Sequence, residues 1–136
     1  MAKTAAIKAV VFKALIQVRL DDAMALLTTG KQARRNGAIY LAGYAVECAL
    51  KTRVCLDRGE QFLDSRFYTH DLSSLLDKTR KGVELKRQDL RAKSFRSIVS
   101  TWSVSMRYNA AVLEDRDVRI FLSECRGFVK WLLSES

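Results

Sequence analysis

The sequence contains no proline and only six glycines in 136 residues. Proline breaks helices and glycine weakens them, so little in this chain interrupts a helix once it has begun. Alanine, leucine, lysine and arginine are frequent instead, and these residues favour helix over strand. The composition therefore predicts an all-α protein.

Long hydrophobic runs are also missing. No apolar stretch approaches the roughly 20 residues that a membrane-spanning helix needs. The N-terminus alternates lysine with alanine, isoleucine and valine, without the apolar core and cleavage site of a secretory signal. We therefore expect a cytoplasmic protein that makes no use of a membrane. With 49% hydrophobic residues, the chain has enough apolar material for one folded domain spanning residues 1–136.

Metal-binding residues are scarce. His70 is the single histidine, and the three cysteines (Cys48, Cys55 and Cys125) include no CxxC pair. A structural zinc site needs four thiolate or imidazole ligands at close spacing, which this chain does not offer. We expect no metal and no cofactor, and we interpret the cysteines as free, mostly buried thiols.

Acidic residues are outnumbered, with 15 Asp and Glu against 24 Lys and Arg, which gives a net charge of +9. More than half of this excess lies between Asp77 and Arg96. Such a concentration favours an anionic partner such as RNA or a nucleotide phosphate, although a solvated helix face explains it equally well. The segment contains eight basic residues: Lys78, Arg80, Lys81, Lys86, Arg87, Arg91, Lys93 and Arg96.

Apolar residues recur at helical spacing in about five segments. The first segment runs from Ile7 to Leu27 and ends at Gly30. It forms either one helix or two, and in the second case residues 1–16 are a separate helix or arm. A second helix is predicted from Ala33 to Asp57. After a loop over Gly59–Tyr68, a short third helix is predicted to begin with Thr69 as its cap and to end near Gly82.

The spacing predicts two more helices, over Glu84–Met106 and Asp115–Leu133. In the first of these we expect the basic residues to face outward and a set of apolar residues to face inward. That apolar set consists of Leu85, Leu90, Phe95, Ile98, Val99 and Trp102. In the last helix the inward set consists of Val118, Phe121, Leu122, Cys125, Val129 and Leu132.

The segment from Tyr40 to Lys51 is almost wholly apolar, with small residues repeating every three or four positions. Such a segment predicts a buried central helix against which neighbouring backbones pack closely. It nevertheless contains Glu47 and Lys51, four residues apart and therefore on one helix face. Because an unpaired buried charge is costly, we predict an ion pair, whose role is either functional or structural.

The sequence of this segment, YLAGYAVECALK, resembles the second helix of the HEPN family (higher eukaryotes and prokaryotes nucleotide-binding). Three further segments resemble elements of that family and occur in the same order: Leu20–Gly30 (LDDAMALLTTG), Thr69–Leu76 (THDLSSLL) and Trp102–Tyr108 (WSVSMRY). The resemblance covers residues 20–133 and implies an up-and-down helical bundle.

The resemblance also implies a function. HEPN-like proteins bind nucleotides or RNA, form homodimers, and often work with a minimal nucleotidyltransferase or in toxin-antitoxin and defence systems. Their ribonucleases carry an arginine, four to six further residues and then a histidine. That motif is absent here: Arg107 is followed at those positions by Val112, Leu113 and Glu114, and Arg66 is one residue too close to His70.

The missing motif favours a binding module over an enzyme. One alternative is a metal-independent endoribonuclease toxin whose degenerate site uses Arg107 and His70. Another is a purely structural dimerisation domain. Against a catalytic use of His70, the simpler interpretation is a histidine packed at the start of a helix, with its ring hydrogen-bonded locally.

The candidate ligand-binding residues are Glu47 and Lys51 of the central helix together with Arg107, Tyr108 and Asn109. The last three offer a cation, an aromatic ring and an amide, a combination that can hold a phosphate and stack a base. The same three residues also suit the C-terminal cap of a helix, and the sequence leaves both interpretations open.

Overall fold

The computed structural model describes residues 7–102 and 113–134. Within these ranges the chain forms six α-helices and two 3₁₀ turns, Gln32–Arg34 and Ser65–Phe67. The ranges contain no strand, only an isolated bridge between Lys8 and Phe62. The prediction of an all-α helical bundle is confirmed. The helices are α1 (Ala9–Thr28), α2 (Arg35–Arg58), α3 (Leu72–Asp77), α4 (Arg80–Leu85), α5 (Asp89–Thr101) and α6 (Asp115–Leu133).

Helix α1 is continuous, so the alternative of two helices is wrong. The two aspartates at its middle do not interrupt it: Asp21 accepts a hydrogen bond from Gln17 at 2.8 Å, and Asp22 pairs with Arg19 at 3.0 Å. Phe12 lies in the core, so the bundle already includes the first turn of the helix. Residues 9–16 are therefore no separate arm, while residues 1–6 lie outside the described ranges.

Helix α2 is the centre of the bundle and packs against α1, α3 and α6. Its alanines are fully buried, which allows the neighbouring helices to approach closely: Ala38, Ala42, Ala45 and Ala49. The helix ends at Gly59, whose left-handed conformation (φ 64°) lets its N–H bond back to the last turn. The predicted buried central helix is confirmed. In the described part of the chain, no helix has the length and apolarity to cross a membrane.

The predicted loop after α2 contains one 3₁₀ turn and is otherwise irregular. The cap of α3 is Asp71, whose side chain accepts a hydrogen bond from the N–H of Ser74 at 3.1 Å. Thr69 is not the cap, because its hydroxyl instead accepts a bond from the N–H of Asp71. Thr79 caps α4 in the same way by accepting from Gly82, so Gly82 lies inside a helix and does not end one.

The predicted helix over Glu84–Met106 is wrong in its first part, because α4 ends at Leu85 and α5 begins only at Asp89. Leu90 and Val99, expected to face inward, are exposed, and Leu90 is exposed to 83%. The buried face of α5 consists of Phe95 and Ile98, one turn apart, and it continues into Trp102. Leu90 lies off that face, whereas Val99, four residues after Phe95, lies at its edge and is exposed to 37%. Leu85 is half-buried, and Met106 lies outside the described residues.

Helix α6 buries the whole set of residues that its spacing predicts, together with Phe128 and Trp131. It lies against both α1 and α2 and contacts α5. The rings of Phe95 and Phe128 stack with their centroids 5.1 Å apart, which joins α5 to α6. The inward pattern predicted for α6 is confirmed.

Trp102 follows α5 and closes one side of α2. Its indole N–H donates to the carbonyl of Tyr40 at 2.9 Å, and its ring stacks on the ring of Tyr40 with centroids 6.3 Å apart. The indole lies directly against Gly43, where a Cβ atom would overlap it. Glycine at this position therefore allows an aromatic ring to rest on the backbone of the central helix.

We expect Gly43→Ala to lower the free energy of unfolding by about 1 to 3 kcal/mol, because the added methyl group displaces a buried indole that is fixed by its hydrogen bond. The change is measured by urea unfolding followed through tryptophan fluorescence.

Gly37→Ala is the matched control on the same helix. The new methyl group meets only the tip of Leu26, at 3.1 Å from its Cδ1 atom, and that side chain can move. Alanine also favours helix, so we expect stability to be unchanged or to rise by up to about 1 kcal/mol. Equal losses in the two variants would contradict the account of Gly43.

Candidate functional site

Glu47 lies near the middle of α2 with its side chain almost completely buried, at 1% exposure. Each of its carboxylate oxygens has a partner. The ammonium of Lys51 donates to Oε2 at 3.1 Å, and the Nδ1 atom of His70 lies 2.7 Å from Oε1. The ion pair that the four-residue spacing predicts is therefore present, and it has a third member.

Lys51 is also buried, at 7% exposure. Besides Glu47, its ammonium faces the ring of Phe12 on α1, 5.5 Å from the ring centroid. Such a contact between a cation and an aromatic face is attractive, and more so away from water. The charge of Lys51 is thus balanced from two sides, by a carboxylate of its own helix and by a ring of the neighbouring helix.

His70 stands just before the capping residue of α3. The apolar residues of α3, namely Leu72, Leu75 and Leu76, are buried in the core beside α2, and this packing brings the imidazole over Glu47. The His70 side chain remains 57% exposed. Because an ionised carboxylate only accepts hydrogen bonds, we assign the proton to Nδ1, which leaves Nε2 as an acceptor.

A histidine held in this way is oriented for chemistry. A buried carboxylate fixes the tautomer and the ring direction, as in many sites where imidazole acts as a base or a ligand. The sequence predicts a locally bonded histidine, whereas the partner of His70 lies 23 positions away. The structure thus brings together Glu47, Lys51 and His70 into one cluster, hereafter the Glu47 cluster.

The thiol beside this cluster is unsuited to nucleophilic work. Burial, with a smaller contribution from the charge of Glu47, raises the pKa of Cys48 to about 12. Burial likewise raises the pKa of Cys55 and, more strongly, that of Cys125. All three thiols are free and buried, as predicted, and at neutral pH they stay protonated and unreactive.

Arg107, Tyr108 and Asn109 lie outside the described residues, so their relation to the Glu47 cluster is not defined. Arg66, the arginine nearest to His70 in sequence, is engaged elsewhere. Its guanidinium pairs with Asp64 at 3.1 Å and lies over the ring of Phe67. The backbone N–H and side chain of Arg66 hold the pKa of Asp64 below its usual range.

The basic segment between Asp77 and Arg96 divides into three kinds of residue. Arg91 is half-buried, and Lys81 is buried. The other six are exposed, and none of them pairs with a carboxylate in the described part of the chain. These six, hereafter the free cations, are Lys78, Arg80, Lys86, Arg87, Lys93 and Arg96.

Lys81 does not belong to the predicted basic patch, because its side chain points into the protein with 1% exposure. Its ammonium donates to the hydroxyl of Ser134 at 3.0 Å, lies 3.4 Å from a carboxylate oxygen of Glu84, and faces the ring of Trp131. These partners compensate for its burial. Lys81 thus ties α4 to the C-terminal end of α6, which is a structural role.

Arg53 of α2 supports the same end of α6. Its guanidinium donates to the carbonyl of Ser134 at 3.2 Å and pairs with Asp57 at 2.8 Å. The last carbonyls of a helix have no partner within the helix and carry partial negative charge, so cations suit this position. Residue spacing does not indicate this arrangement, because it depends on where α6 ends in space.

One signal in the sequence pointed to a third member of the Glu47 cluster. A carboxylate has two oxygens, and Lys51 fills one side of it, so a buried Glu47 still needs a donor from another element. His70, the single imidazole of the chain, is one side chain able to supply that donor. The spacing could not show that α3 delivers it there.

Comparison of the chain with known protein families, curated proteins and solved structures finds no significant match.

We expect Lys51→Met to lower the free energy of unfolding by about 3 to 5 kcal/mol, because it leaves a buried carboxylate without its cation. Methionine keeps an apolar stem against Phe12. The double variant Glu47→Gln, Lys51→Met also removes the unpaired charge of Glu47. It should lose less free energy of unfolding than Lys51→Met, as measured by urea unfolding.

Arg119→Met is the control, because it breaks an exposed pair of the same spacing, with Asp115. Such pairs contribute about 0 to 1 kcal/mol. If the double variant loses as much free energy of unfolding as Glu47→Gln and Lys51→Met lose in sum, Glu47 and Lys51 do not depend on each other.

Proposed function

We propose that this protein is a nucleotide- or RNA-binding module and that the free cations form its phosphate-binding surface. The single observation that supports this most is their lack of carboxylate partners. Six exposed positive charges within 19 residues repel one another unless an anion lies between them. Lysine and arginine side chains in this state are the usual ligands of nucleic-acid phosphates.

Cations on other elements are of two kinds. Each of the following pairs with a nearby carboxylate at 3.1 Å or less: Arg19, Arg53, Arg58, Arg66 and Arg119. Others have no carboxylate partner in the described ranges either, among them Lys13, Lys31, Arg34, Arg126 and Lys130. The free cations are set apart by their concentration, six within 19 residues, and this concentration supports an anion-binding surface.

The resemblance to the HEPN family points in the same direction and supplies the context of the proposal. A partnership with a minimal nucleotidyltransferase, or a place in a toxin-antitoxin or defence system, rests on that resemblance alone. The absence of the arginine-histidine motif from residues 63–70 and 107–114 supports binding without cleavage.

We expect the variant Arg87→Gln, Lys93→Gln, Arg96→Gln to bind single-stranded RNA at least tenfold more weakly than the unchanged protein. Each lost phosphate contact lowers the slope of log affinity against log salt concentration by about 0.7, so three lost contacts lower it by about 2. Fluorescence anisotropy with an end-labelled RNA at several salt concentrations measures both quantities.

The matched control is Arg58→Gln, Arg66→Gln, Arg119→Gln, which removes the same net charge from paired positions. We expect its affinity and salt slope to stay close to those of the unchanged protein. Equal weakening in both triple variants would mean that RNA responds to net charge alone, and the proposed surface would be wrong.

A second candidate function, metal-independent RNA cleavage, is favoured by the geometry of His70. Its Nε2 atom is the free acceptor of an imidazole whose other nitrogen is held by a buried carboxylate. Such a group can take the proton of a ribose 2'-hydroxyl as that oxygen attacks the adjacent phosphate. The 5' oxygen then leaves, and it needs a proton from a second group.

A denaturing gel of the RNA from the binding experiment, run with chelator present, separates the two candidates. Intact RNA supports the binding module. Cleavage that falls by about 100-fold or more in His70→Gln would establish the second candidate. Binding and cleavage both absent would leave the purely structural dimerisation domain.

The proposal includes a homodimer, for which the outer face of α1 is the best candidate. Opposite its buried side, this helix exposes Val11 and Val18, with Val10 beside them. Together with Ala14, Val11 and Val18 follow the alternating spacing of three and four residues that two packed helices share. Ala14 at the centre allows two copies to approach closely around a two-fold axis.

We expect Val11→Lys, Val18→Lys to convert a dimer into a monomer, because the contact would then bury unpaired ammonium groups. Sedimentation equilibrium at micromolar concentration measures the change. Val83→Lys, at an exposed valine of α4, is the control and should leave the mass unchanged. A monomeric unchanged protein, or a dimeric double variant, would exclude this interface.

A further inference from the structure

A groove of about 470 Å³ lies between α1 and α6, on a surface separate from the Glu47 cluster and the free cations. Its floor is purely aliphatic and consists of Ile16 and Leu20 from α1 with Val129 and Leu133 from α6. Volumes of this order are typical of sites for small organic molecules. The floor favours a ligand with a hydrocarbon body.

The rim of the groove is positively charged. Lys13 stands on the α1 side, and Arg126 and Lys130, four residues apart, stand on the α6 side. No acidic residue lines the groove, and none of these three cations has a carboxylate partner in the described ranges. Lys130 suits the negative end of α6, but Lys13 and Arg126 lie within their helices and have no such explanation.

A second hollow of about 160 Å³ continues the same seam and shares Arg126. Its apolar walls are Met24 of α1 and Leu122 of α6. Two hollows thus lie along the seam between α1 and α6, with Arg126 between them. A nucleotide is a poor match for the seam, because the larger groove offers no aromatic ring for stacking a base.

From these observations we propose that the groove between α1 and α6 binds a small organic acid with an alkyl body, its carboxylate held by Lys13, Arg126 and Lys130. The hydrocarbon chain lies on the aliphatic floor, where its removal from water favours binding. The guanidinium of Arg126 can bind the carboxylate through two parallel hydrogen bonds.

The test is calorimetric titration of the full chain with decanoate, with decanol and with adenosine triphosphate. Decanoate should bind at micromolar to millimolar concentration, at least tenfold more tightly than decanol, and adenosine triphosphate should not compete with it. The variant Arg126→Gln, Lys130→Gln should weaken decanoate binding by about tenfold or more, since each tenfold corresponds to about 1.4 kcal/mol.

One control and one further groove variant complete the experiment. Lys31→Gln, Arg34→Gln removes two exposed cations outside the groove and should leave decanoate binding unchanged. Leu133→Asn alters the floor without touching a charge and should also weaken decanoate binding. The proposal is overturned if decanol binds as tightly as decanoate or if decanoate does not bind. It is also overturned if the Arg126→Gln, Lys130→Gln variant and the Lys31→Gln, Arg34→Gln variant bind decanoate equally well.

An acyl anion can reach a protein either free in solution or as part of a membrane surface. Co-sedimentation with phosphatidylglycerol vesicles distinguishes these sources. We expect no vesicle binding that depends on Arg126 and Lys130. If free decanoate does not bind, and vesicle binding is lost in the Arg126→Gln, Lys130→Gln variant, the groove binds a lipid headgroup and not a free small acid.

Discussion

The need to satisfy one buried carboxylate organises the centre of this protein. Glu47 sits in the central helix, against which α1, α3 and α6 pack, and its charge would be prohibitively unstable there without partners. Lys51 lies on the same helix and faces the ring of Phe12 on α1, while His70 stands at the start of α3. Three separate elements are thus fixed around a single side chain.

The same constraint explains why the exposed imidazole is oriented. A surface histidine usually rotates freely, but His70 is held by a group that cannot move without disturbing α2. Arg53 and Lys81 act in a comparable way at the end of α6, where Arg53 donates to the carbonyl of Ser134 and Lys81 donates to its hydroxyl. Polar groups inside this bundle therefore connect its helices to one another.

The sequence predicted the parts of the fold that depend on local pattern. Helices α2 and α6 repeat apolar residues with little interruption, so their extent and buried faces could be recognised. The break between α4 and α5 could not, because Lys86, Arg87 and Gln88 are all acceptable in a helix and only packing ends it there. Of the site, the pairing of Glu47 with Lys51 was predictable from spacing, whereas the approach of His70 depends on the docking of α3.

The distance along the chain between helices that contact one another also bears on how the chain folds. Helices α1 and α2 are joined by a short connection around Gln32–Arg34 and share the most extensive seam, whereas α6 reaches α2 from far along the chain. Closing the short loop loses little entropy, so the α1 and α2 hairpin can form first and offer a template to α6. Substitutions in the seam between α1 and α2 would then slow folding, while those at the contact of α6 would mainly speed unfolding.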